Sequence, residues 1–90
     1  GIHIMKIEEL RSEVDAVNSE ILKLFIKNLE LTAQIGDERA KEGKGIYDRK
    51  REEDILEKVI AQTPQNLQNY SIELFRNIIN LCKEHYADKR

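Results

Sequence analysis

Four charged side chains stand where they could act together: Arg11 directly after Leu10, Arg39 one turn beyond Ile35, and Arg51 and Glu52 at the opening of the second helix. Taken singly, each reads as a solvated surface charge of little consequence for stability. As a set they would be chemically meaningful only if the fold made them converge, since the planar donor fork of arginine suits carboxylate ligands. Asn28 is a different kind of candidate. It interrupts an apolar stripe made of Ile7, Leu10, Val14, Val17, Ile21, Leu24, Leu31 and Ile35, whose alternating three- and four-residue steps are those of a helical seam. A polar residue in such a seam either sets register through an Asn–Asn contact or lines a pocket, and the sequence leaves both open.

Other chemistries find no support. His85 has no Ser or Cys nucleophile at a recognisable spacing and reads as a surface residue. Glu8, Glu9, Glu52 and Glu53 lack the spacing of metal ligands or of a glycosidase pair, so no metal is expected.

The elements that must position these groups are all helical, and no segment reads as a β-strand. The first helix is predicted over residues 6–42, because the stripe keeps its register across Gly36 and is stopped only by Gly43-Lys44-Gly45. Gly36 is tolerated inside it at some cost. The second helix opens near Asp48 and closes before Thr63-Pro64, with Ile55, Leu56, Val59 and Ile60 as its apolar face. The third is predicted over residues 70–87, where Ile72, Phe75, Ile79, Cys82 and Tyr86 share one stripe. Cys82 and Tyr86 are therefore core residues at least as readily as ligand contacts.

With 90 residues, 40% apolar and 36% charged, the chain is expected to be one domain with a core that is marginal alone. At 1.5 Å per residue the first helix is a rod of about 55 Å, whereas a compact domain of this length is about 30 Å across. Two shorter helices cannot cover such a rod, so a homodimer with the two rods paired is expected, a single coiled-coil hairpin being the alternative. The 15 basic and 17 acidic side chains, a net charge of −2, argue against a nucleic-acid ligand. No apolar run is long enough to span a membrane, and the lone Cys82 allows no intrachain disulfide, so a soluble, cytoplasmic protein is expected. Residues 1–4, ahead of Met5, read as a remnant of expression, leaving residues 5–90 as the domain.

The order of Leu10-Arg11, a polar seam position at 28, a basic residue at 39 and the Asp-x-x-Arg-Glu pattern of Asp48, Arg51 and Glu52 resembles the all-helical chorismate mutases, from Met5 to Tyr86. The resemblance implies an intertwined homodimer that rearranges chorismate to prephenate, a pericyclic step of aromatic amino-acid biosynthesis needing no cofactor or metal. It implies that Arg11 reaches into the partner's site to bind a substrate carboxylate. Arg39, where the family usually has lysine, would contact a carboxylate and the ether oxygen; Asp48 and Arg51 would shape the site; Glu52 would accept a hydrogen bond from the substrate hydroxyl. Three positions depart from the pattern. Asn28 stands for a second carboxylate-binding arginine, and Cys82 and Tyr86 stand for a serine and, four residues on, a glutamine or glutamate. Losing one preorganised donor at position 28 implies a rate lower by about 10²–10³. The readings kept beside the mutase are an isochorismate-type pyruvate lyase on the same scaffold and a non-catalytic helical dimerisation or regulatory module.

Overall fold

The computed structural model describes residues 2–89. Helix α1 runs over Ile2–Ala40, α2 over Arg49–Ala61 and α3 over Gln68–Lys89, with a single turn of 3₁₀ helix at Gln65–Leu67 leading into α3. No strand occurs among the described residues, so the all-α expectation is met. The rod begins four residues earlier than the periodicity suggested, because residues 2–5 contain neither Gly nor Pro to break it. At its other end Gly43 adopts φ 73°, the left-handed conformation that glycine enters without steric penalty. Lys44 N–H then donates to Arg39 C=O and Gly43 N–H to Ala40 C=O, both at 3.0 Å. This pair of bonds is a Schellman cap, so the capping turn carries the helix through Glu42 although its last regular residue is Ala40.

Helix α2 starts where Asp48, in extended conformation, accepts the Arg51 backbone N–H on Oδ1 at 2.7 Å. Its far end is tied to α3. Thr63 Oγ1 donates to Val59 C=O at 2.7 Å and lies 3.1 Å from Ser71 Oγ, while the Gln68 amide donates to the carbonyls of Ile60 and Thr63.

Helix α3 is the central element, packed against both α1 and α2. Among the described residues the buried hydrophobic side chains are Ala33, Val59, Ile79, Cys82 and Tyr86, a small core for the length. On α1 the covered strip is Phe25, Leu29, Ala33 and Gly36, half-buried or buried. Phe25, Leu29 and Gly36 each follow a seam residue by one position, so the strip lies about 100° round the helix from the seam. The predicted seam itself stays open: Leu10, Val14, Val17, Ile21, Leu24, Leu31 and Ile35 are 46–66% exposed. The molecule is a layer of 62 × 30 × 15 Å, and the smallest dimension is little more than one helix diameter of about 10–12 Å. Among the described residues no helix is long and apolar enough to cross a membrane.

Gly36 has a reason that helix propensity does not reveal. The Tyr86 ring lies so close that a Cβ at position 36 would stand 2.7 Å from Cε1 and Cζ. Tyr86 cannot easily yield, because it is 7% exposed and its hydroxyl donates to Asp37 Oδ1 at 3.1 Å. Gly36→Ala is therefore expected to destabilise the fold by about 1–3 kcal/mol through overpacking, despite alanine's better helix propensity. Thermal melting followed by circular dichroism should show a drop of at least about 4 °C; an unchanged or higher melting temperature would refute the ring-on-glycine contact.

Candidate functional site

A cleft of about 200 Å³ opens where α1, α2, α3 and the loop before α2 meet. Its polar lining comes from Asn28 and Thr32 on α1, Tyr47 in the loop and Arg51 in the first turn of α2. The apolar walls are Ile35, Ile46, Ile55 and three α3 residues, Phe75, Ile78 and Ile79. Ligand pockets usually measure about 300–1,000 Å³, so one chain supplies a partial enclosure.

Each polar group is held by a local cause. Thr32 follows Asn28 by one helical turn and returns its hydroxyl to the Asn28 carbonyl at 2.8 Å. Asn28 Oδ1 accepts from the Cys82 thiol at 3.5 Å, across the α1–α3 contact. Burial, and then the adjoining Cys82, push the Tyr47 phenol far above its ordinary range. Tyr47 thus remains a neutral phenol.

Next to Tyr47 in the chain, Asp48 does two jobs: Oδ1 caps α2, and Oδ2 lies 3.5 Å from Arg39 Nη2. Arg39 Nε also donates to the Gly45 carbonyl, so its guanidinium braces the loop. Glu52 pairs with Lys83 of α3 at 3.1 Å, and the Lys83 ammonium sits 6.0 Å from the centroid of the Tyr47 ring.

The expected residues are thus placed unequally. Asn28 and Arg51 line the cleft; Asp48 and Glu52 do not, but flank its lining residues Tyr47 and Arg51 in sequence, and Arg39 is joined to the same segment through Asp48. Cys82 and Tyr86 do not line it: Cys82 is fully buried behind Asn28, and Tyr86 lies on Gly36. Arg11 is 72% exposed, pairs with Glu8 at 3.2 Å, and lies far from the cleft of its own chain, roughly 25 Å along the rod from Asn28. His85 is half-buried, not at the surface as expected, with Nδ1 enclosed and unbonded. Among the described residues no cluster of His, Cys, Asp and Glu could hold a metal. Sequence reasoning passed over Thr32, Tyr47 and Lys83. The spacing of Thr32 from Asn28 could have indicated the first, whereas the other two depend on the loop path and on the α2–α3 contact.

Residues 10–86 match the protein family described as chorismate mutase type II. A T-protein of Haemophilus influenzae is 39% identical over 84 residues, covering 92% of this chain and 22% of the relative. A bifunctional chorismate mutase/prephenate dehydratase of Aquifex aeolicus is 29% identical over 82 residues, covering 86% of this chain and 23% of the relative. The chain therefore spans less than a quarter of the length of these curated relatives. No solved structure gives a significant match.

The double role of Asp48 yields a direct expectation. Asp48→Ala removes the cap and the Arg39 brace together and should cost about 1 kcal/mol, or up to about 2, of stability. Asp48→Asn retains a capping oxygen and should cost much less. Melting temperatures of the two variants check this, and an equal loss in both would show that the cap is not what matters.

Proposed function

The chain belongs to the chorismate mutase type II family, and we propose that it rearranges chorismate to prephenate in a homodimer with two composite sites. The observation that carries the reading is the cleft that joins Arg51 at the start of α2 to Asn28 and Tyr47, inside the segment that matches the family. The reaction is intramolecular: one C–O bond breaks as one C–C bond forms, with no covalent intermediate and no call for a metal or cofactor. What the protein must do is hold a flexible dianion in its compact reactive conformation and stabilise the charge that grows on the ether oxygen.

In this proposal Arg51 and Arg11 of the partner subunit bind the two carboxylates, and Arg39 turns from its brace toward the ether oxygen. Glu52 accepts the hydrogen bond of the ring hydroxyl. Asp48 holds the α2 terminus in place, Asn28 contributes a neutral amide where a second arginine would be stronger, and Cys82 and Tyr86 support the wall from behind. The exposed seam supports the dimer, since a second rod laid on it would bury Leu10, Val14, Val17, Ile21 and Leu24 and carry a partner Arg11 toward the cleft. A cytoplasmic location belongs to the same proposal.

Purified protein incubated with chorismate should consume it and yield prephenate, followed by loss of chorismate absorbance with product identification. Release of pyruvate would identify a lyase instead, and an intact substrate would favour a non-catalytic module. Light scattering coupled to size exclusion should give twice the monomer mass of 10.5 kDa at micromolar concentration; a monomer would sink the composite site.

Asn28→Arg should raise turnover, since a charge-assisted contact contributes roughly 1.5–3 kcal/mol, or about 10- to 150-fold if it is expressed in the transition state. A less stable protein with no gain in kcat/KM would mean that Asn28 serves packing alone.

A further inference from the structure

We propose that Lys83 is a positioning residue of the site, one that neutralises and orients Glu52 and thereby leaves the cleft attractive to a dianion; this rests on the mutase reading above. Among the described residues the Glu52–Lys83 pair differs from most of the ion pairs. Five of the pairs join residues two to four positions apart, on or near one helical turn, whereas Lys83 reaches from α3 to the first turn of α2. Its side chains are also partly covered, 41% and 32% exposed, which keeps solvent from screening the pair fully. The ammonium approaches the face side of Tyr47, a residue of the cleft lining, at 6.0 Å from the ring centroid.

The charge balance explains why such a group is needed. At the start of α2, Asp48 is paired with Arg39, and Glu52 sets a negative charge next in sequence to the positive charge of Arg51. With an uncharged Asn28 in the wall, one chain without Lys83 would offer an anion a locally neutral site. Lys83 supplies the remaining positive charge, and it does so through Glu52: by holding that carboxylate at 3.1 Å it offsets the negative field that would repel the ligand. The same contact restricts the rotamers of Glu52, leaving one oxygen paired and the other available to accept a hydroxyl.

Steady-state kinetics on the full chain with chorismate test this. Lys83→Gln should raise KM by roughly 5- to 30-fold, the effect of removing one unit charge about 8–12 Å from the ligand at an effective dielectric of about 20, reduced by solvent. Lys83→Arg should stay near the starting KM. The decisive variant is Lys83→Gln combined with Glu52→Gln, which restores the original local charge: KM should return toward its starting value while kcat remains low for want of the Glu52 carboxylate. A purely structural tie between α2 and α3 would instead lower the melting temperature in both Lys83→Gln proteins without recovery of KM, and that result would overturn the inference. An active parent whose KM is unmoved by Lys83→Gln would also overturn it. A parent chain that leaves chorismate untouched would overturn the mutase reading and this inference with it.

Discussion

The architecture follows from a mismatch of lengths. A helix of 39 residues is about 58 Å long, and helices of 13 and 22 residues that fold back beside it can cover only part of its surface. Helix α3 takes the strip where α1 is smallest, around Ala33 and Gly36, because there the two helices can approach until the Tyr86 ring meets the backbone. The larger side chains of the seam are left outside. The resulting layer has few fully buried residues, and an apolar stripe of this extent would be unusual on a monomer.

The cleft is a by-product of the same geometry. It forms at the edge between the covered strip and the open seam, where Asn28, Thr32 and Ile35 face the loop and the start of α2. A site on such an edge is enclosed on one side by its own chain and open on the side where a second rod would lie. In the proposed dimer a second rod would complete the enclosure, and Arg11, distant from the cleft of its own chain, would reach the site only across the interface.

The inter-segment ion pairs next to the cleft are organised around the first turn of α2. Asp48 and Glu52 sit where the helix dipole favours negative charge, yet the proposed ligand is itself an anion. Each carboxylate is accordingly given a cationic partner from another segment, Arg39 from α1 and Lys83 from α3. The two pairs also fasten α2 to the rest of the molecule, so the groups that set the charge of the site and those that hold it together are the same.

Three helices and their approximate ends were legible in the sequence, because periodicity, Gly43-Lys44-Gly45, Asp48 and Thr63-Pro64 act over only a few residues and do not depend on what packs against them. The ordered motif containing Asp48, Arg51 and Glu52 was legible for the same local reason. The face of α1 that α3 would cover was not, since two apolar strips about 100° apart satisfy helical spacing equally and only the shape of a partner chooses between them. The need for glycine at position 36, the half-burial of His85, the withdrawal of Cys82 and Tyr86 behind the cleft, and the entry of Tyr47 and Lys83 into its surroundings all depend on contacts between residues distant in sequence. Such contacts are decided by close packing in three dimensions, which no spacing along the chain encodes.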